Sequence, residues 1–287
     1  FSFAAFRIMP SVNRMLVGLQ TFRYAVPVMD IMLKEFSHPQ LKFNSTQLSH
    51  PVNRFKEIQE ILFKDIFYSY PLSDESQLKG VSVAIANGQF IGIVGKSGSG
   101  KSTFVDILLG LLQQESGDII INGQATSFNI DKWNSNIGYV PQEIILTDNS
   151  LKNNIAFGVL ESDIDLIKIQ SAISLSNLNE VVEQLDEGID SNIGEKGVRL
   201  SGGQIQRIGI ARALYNQPDI IVFDEATSAL DRQTELEVLD AIASLRGMKT
   251  IIMITHRIET AERCDYVYKF DQGAVVSEGK PGALNLG

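Results

Sequence analysis

The chain carries one cysteine, Cys264, in 287 residues. A lone thiol excludes an internal disulfide, so the fold must be held by its core, and the usage suits a reducing compartment. Positive charge is also short: 25 Lys and Arg face 34 Asp and Glu, a formal net charge of −9. General binders of nucleic acid or of anionic membrane present a basic face, so neither class is expected, and only a local basic patch is left open. The sequence has no uninterrupted apolar run of the roughly 18 residues that mark a membrane-spanning helix, and no signal-peptide pattern after Phe1. Nothing in this stretch of chain is therefore expected to cross a bilayer by itself. Internal repeats and low-complexity tracts are missing too.

What is present is apolar mass, 44% of residues, enough to fill the core of one or two domains. Residues 1–36, rich in Phe, Met and Leu, read as a long amphipathic helix interrupted at Pro10 and Pro27. Its apolar face fits the cytoplasmic end of a helix cut from something larger, or equally a soluble domain's own N-terminal helix. Residues 37–54 are polar and punctuated by Pro39 and Pro51, which reads as a linker; His38 and His50 fall in it as solvated side chains. From about residue 55 to 287, short β-branched runs alternate with helical patterns, the signal of an α/β domain. Phe90–Val94, Ile220–Phe223 and Thr250–Ile254 look like buried strands of a parallel sheet, and Ile119–Ile121 before Asn122-Gly123 looks like one arm of a tight hairpin.

The densest chemistry follows the strand FIGIV. Gly95-Lys96-Ser97-Gly98-Ser99-Gly100-Lys101-Ser102 fits G-x-x-x-x-G-K-[ST], a phosphate-binding loop. Its glycines let successive N–H groups curl around a phosphate, and a helix over Ser102–Leu112 would aim its positive end at the same anion. Lys101 would reach the β- and γ-phosphates, and the Ser102 hydroxyl would ligate Mg²⁺. About 120 residues later, Ile220–Phe223 ends in Asp224-Glu225, two carboxylates at the C-terminal end of a strand, where α/β sheets hold their ligands. Asp224 would hold the metal and Glu225 would orient or deprotonate an attacking water. Leu200-Ser201-Gly202-Gly203-Gln204 repeats the logic of small residues before a helix. With one loop already serving the β-phosphate, this second anion-binding helix end fits a nucleotide held by another copy of the chain.

Together these motifs resemble the nucleotide-binding domain of ATP-binding cassette (ABC) transporters, whose signature is LSGGQ. The resemblance covers about residues 55–287. It implies a P-loop NTPase core with a parallel sheet, an antiparallel β-subdomain and an α-helical signature subdomain at about 144–213. It also implies that Tyr70, 25 residues ahead of Gly95, stacks on adenine and that Thr103 extends the loop's ATP contacts. Gln142 in IGYVPQE would touch Mg²⁺ and couple to a membrane domain, and His256 would contact the γ-phosphate. Asp231, in Ser228-Ala229-Leu230-Asp231, would face across a dimer, and Ile193–Gly197 resembles the segment by which exporters contact their membrane domain.

The implied catalytic set is Glu225, His256 and Lys101, the metal set Ser102, Gln142 and Asp224, and the cofactors ATP and Mg²⁺. The implied partners are a second such domain, a homodimer being expected, and transmembrane domains, with no nucleic acid, at the cytoplasmic face of a membrane. Because AAFRIMPSVNR resembles flippases of lipid-linked oligosaccharides, a lipid or lipid-linked saccharide is the expected cargo. Two other classes stay open: a soluble ABC ATPase acting outside transport, and a non-hydrolysing regulator, against which the pair Glu225 and His256 speaks. Stacking on Tyr70 leaves ATP and GTP equally open.

Overall fold

The computed structural model describes residues 2–37, 55, 58–71, 73, 75–125, 133–194, 200–227 and 230–284. It falls into two compact units, Phe1–Pro51 and Val52–Gly287. Residues 38–54, most of the expected linker, lie outside the described residues.

The first unit holds one helix, α1 (Ser2–Ser37), which runs on through both Pro10 and Pro27. The expected interruptions do not occur. Proline removes one helical N–H and crowds the preceding turn, a local defect that several intact turns on either side can span. The expected amphipathic stripe is also absent: Met15, Leu16 and Val17 are consecutive, about 100° apart on a helix, and all exposed. Apolar side chains therefore wrap around α1. No helix among the described residues is long and apolar enough to cross a membrane.

In the second unit, β1 (Glu60–Ser69), β2 (Ser76–Ala86), β4 (Ser116–Ile121) and β5 (Gln124–Ala125) form an antiparallel sheet in the order β2-β1-β4-β5. The expected hairpin is there: Asn122 and Gly123 turn between β4 and β5 with φ of 51° and 76°, the left-handed pair of a tight turn. A second sheet runs β10-β9-β3-β8-β7-β6, from β3 (Phe90–Gly95), β6 (Ile137–Val140), β7 (Ile220–Asp224), β8 (Thr250–Thr255), β9 (Tyr266–Asp271) and β10 (Ala274–Gly279). All its pairings are parallel except β10 against β9.

Both faces of this sheet are buried, as the unbroken apolar runs require. Ile91, Ile93, Val222 and Ile252 join α2 (Lys101–Leu108) and the antiparallel sheet in one core. Phe90, Ile221, Phe223 and Met253 join α6 (Gly202–Tyr215) and α7 (Arg232–Ala243) in another. Shorter helices α3 (Leu151–Ile155), α4 (Leu166–Leu175) and α5 (Asn179–Glu183) precede α6, and α8 (Ile258–Ala261) follows β8. Cys264 is buried in the second core, where burial pushes its thiol up to about 12, so the one cysteine is packing rather than chemistry. Helix α2 ends at Leu108, short of the expected Leu112. Gly110 turns left-handed at φ 72°, and the N–H groups of Leu111 and Leu112 return to the Asp106 carbonyl.

Candidate functional site

Strands β3, β8, β7 and β6 lie side by side and parallel, so their C-terminal ends deliver four loops to one edge of the sheet. After β3 the chain turns through the phosphate-binding loop into α2. Gly100 caps α2 at φ 99°; a Cβ there would stand 3.0 Å from Leu78 Cδ2 and 3.1 Å from the Gln77 carbonyl. Lys101 folds across the loop and donates from Nζ to the carbonyls of Gly95 (2.9 Å) and Lys96 (2.8 Å). Burial lowers its pKa, with Glu225 and Asp224 pulling it back up.

These loops enclose a cavity of about 450 Å³. Gly95, Lys96, Ser97, Gly98, Gly100, Lys101, Ser102, Thr103, Gln142, Asp224, Glu225 and His256 all line it, together with Gln77 and Ile254, which the sequence did not single out. Ser99 is not part of the lining; its side chain is buried and its hydroxyl has no partner among the described residues. Tyr70 also stands outside the lining, but its hydroxyl lies 3.3 Å from Thr103 Oγ1 and its ring meets Tyr68 edge-on at 5.1 Å.

Glu225 sits at φ 47°, left-handed and strained for a residue with a side chain. Its N–H donates to the Ile254 carbonyl of β8 (3.1 Å), and its Oε1 is 3.4 Å from His256 Nδ1. Asp224 accepts a hydrogen bond at Oδ2 from the Tyr139 hydroxyl, 3.1 Å away. Burial raises the pKa of Asp224, and Glu225 adds to it, while the Tyr139 bond and Lys101 oppose. Burial likewise raises Asp106, helped by Asp224, and raises Tyr139, helped by Asp224 in charge and hydrogen bond. Sequence reasoning missed Tyr139 and Asp106. Tyr139 stands three residues before Gln142, but only the register of β6 on β7 places it beside Asp224.

None of Leu200–Gln204 lines the cavity. Ser201 caps α6: its hydroxyl accepts from the Gln204 N–H (3.2 Å), and Gln204 Oε1 accepts from the Ser201 N–H (2.8 Å). Leu200 packs on the core, while Ser201 and Gly202 are exposed. Gly203 is buried, and a Cβ on it would come 2.2 Å from Thr234 Cγ2 of α7. Within the chain, then, Gly203 is needed for helix packing. Thr234 is itself held, its hydroxyl donating to Asp231 Oδ2 (2.6 Å). Gly203→Ala should cost about 1–3 kcal/mol in denaturant unfolding, the usual price of overpacking. Most of that loss should vanish in a Thr234→Ala background; an equal loss in both would mean that Thr234 is not the obstacle.

Two residues past the signature, Gln206 donates from Nε2 to the Gln142 carbonyl (3.2 Å), tying α6 to the loop at the cavity. Asp231 caps α7 by accepting from the Gln233 and Thr234 N–H groups, and the Thr234 hydroxyl leads in holding its carboxyl below the usual carboxylate range. Ser228, Ala229 and Glu195–Gly197 lie outside the described residues.

A family model described as ABC transporter matches residues 78–228, more than half of the chain. This chain belongs to the ABC transporter family. A putative export ATP-binding/permease protein of Rickettsia bellii is 42% identical over 219 residues, 76% of this chain and 38% of the relative. An ATP-dependent lipid A-core flippase of Francisella tularensis subsp. holarctica is 41% identical over 221 residues, 77% of this chain and 36% of the relative. A solved bacterial Atm1-family ABC exporter with ATP bound aligns with a TM-score of 0.70 at 31% identity, over 81% of this chain and 40% of that one. The chain thus spans about two fifths of the length of these relatives. The matched ABC stretch includes the phosphate-binding loop, Gln142, the LSGGQ segment, Asp224 and Glu225, while Tyr70, Asp231 and His256 lie beyond it.

Proposed function

We propose that this chain is the ATP-binding and ATP-hydrolysing domain of an exporter-type ABC transporter, acting at the cytoplasmic face of a membrane. The observation that carries this reading is the convergence of the phosphate-binding loop, Gln142, Asp224, Glu225 and His256 on one cavity. The loop's N–H groups and the α2 N-terminus would bind the phosphates, and Lys101 would swing from the Gly95 and Lys96 carbonyls to the γ-phosphate. Glu225 would take the proton of the attacking water, with His256 beside it at the γ-phosphate. Tyr70 and Thr103 flank the loop where a base and its phosphates would lie.

The Ser102 hydroxyl, the Gln142 amide and the Asp224 carboxylate all border the same cavity. These are hard oxygen donors that fit Mg²⁺, and a bound Mg²⁺ would neutralise developing phosphate charge.

The signature, absent from the cavity lining, would meet ATP held by a second copy, with Asp231 near that interface. Attached membrane domains would use closure and reopening of the pair to move cargo. The lipid A-core flippases among the relatives favour a lipid or lipid-linked saccharide as that cargo. The test is phosphate release from ATP across a range of protein concentrations. Release should rise more steeply than linearly, because isolated domains must pair to react, and nucleic acid should not stimulate it. Strictly linear release would overturn the pairing, and absence of release the hydrolytic reading.

A further inference from the structure

We propose that Tyr139 is a positioning residue for Asp224: it holds one carboxylate oxygen so that the other is presented to the divalent cation of a bound nucleotide. The proposal rests on the reading of the cavity as a site for Mg²⁺ and ATP. Among the described residues strand β6 is the last of its sheet and pairs with β7, Tyr139 standing opposite Val222. Opposed residues of paired strands share a face, and Asp224, two residues after Val222, returns to it. The tyrosine reaches along this diagonal to the strand end, and its hydroxyl donates to Asp224 Oδ2 at 3.1 Å.

Core packing does not account for the side chain. Tyr139 is 39% exposed, whereas its neighbours Gly138 and Val140 are buried. The chemistry of the donor is also specific. Asp224 feels the negative charge of Glu225, and Asp106 of α2 feels that of Asp224, so carboxylates crowd this end of the sheet. Lys101, which lines the cavity with Asp224 and Glu225, has its ammonium turned onto the carbonyls of its own loop. A lysine or arginine in place of Tyr139 would orient Asp224 but neutralise the charge a metal needs. A phenol donates one hydrogen bond and brings no charge, so it orients the carboxylate without cancelling its negative charge.

The test is calorimetric binding of ATP to the chain with Mg²⁺ in excess and with a chelator, for wild type, Tyr139→Phe and Asp224→Asn. The wild type should gain affinity from Mg²⁺. In Tyr139→Phe that gain should shrink on the order of tenfold, the usual effect of losing a partner behind a metal ligand. Its affinity in chelator and its thermal midpoint without nucleotide should stay at the wild-type values. Asp224→Asn should lose at least as much of the gain. If Asp224→Asn loses it while Tyr139→Phe keeps it, the positioning role is overturned and the site reading stands. A loss equal in Mg²⁺ and chelator, or a lowered thermal midpoint, would make Tyr139 structural and also overturn the role. A wild type with no gain from Mg²⁺ would overturn the reading of the cavity and the proposal together.

Discussion

Replacing Glu225 by glutamine is expected to leave ATP binding intact and to cut turnover by about 10²–10⁴, the usual worth of a positioned general base. The two side chains have the same shape, so the substitution removes the ability to accept a proton and little else. The backbone strengthens this expectation. Glu225 is held at φ 47° by its own N–H bond to the Ile254 carbonyl, an interaction that does not involve the side chain. Glutamine therefore inherits the same strained position just past the end of β7, beside the same His256. Calorimetric binding of ATP and phosphate release, measured on one preparation, separate the two effects. A fall in turnover of less than about threefold, well under the general-base range, would remove Glu225 from that role. Lost binding would mean that the carboxylate serves the nucleotide rather than the water.

The loop from Gly95 to Ser102 was legible in the sequence because its signals are local. A buried apolar strand, glycines where N–H groups must converge, and a helix immediately after them are all read within a dozen residues. The parallel strands were legible for the same reason, since burial on both faces leaves no polar alternation. What escaped reading depends on partners distant along the chain. The left-handed Glu225 is fixed by β8, and the bond from Tyr139 to Asp224 exists only because β6 pairs with β7 in one register. Gly203 carries the same lesson: its neighbours in sequence suggest an anion site, but the atom nearest its missing Cβ belongs to Thr234 of α7. The course of α1 was misread because proline's local preference was weighed above the length of helix on either side of it.

A mixture of two disabled chains is expected to recover activity that neither has alone. Lys101→Ala removes the cation that would reach the β- and γ-phosphates, yet leaves the distant signature unaltered. Ser201→Arg places a long side chain at the exposed start of α6, where a partner's nucleotide would approach, and leaves the phosphate-binding loop whole. It also removes the Ser201 cap, which should cost about 1 kcal/mol, small enough for the chain to stay folded and be checked by its thermal midpoint. In the mixed pair, the intact loop of the Ser201→Arg chain meets the intact signature of the Lys101→Ala chain, so one complete site is rebuilt. In either mutant alone, every site lacks one half. The geometry supports this division: the loop, Gln142, Asp224, Glu225 and His256 share one cavity, and no residue of Leu200–Gln204 lines it. A helix start leaves its first N–H groups without intrahelical partners, and at α6 those groups belong to Gly202 and Gly203, while the Ser201 hydroxyl is taken by the Gln204 N–H. Those two groups are what an incoming γ-phosphate would find. Phosphate release from the mixture should therefore exceed the sum of the two mutants, and should peak near equal amounts of each. Additive release, together with strictly linear concentration dependence in the wild type, would place hydrolysis within a single chain and leave the signature to the packing of α6 on α7.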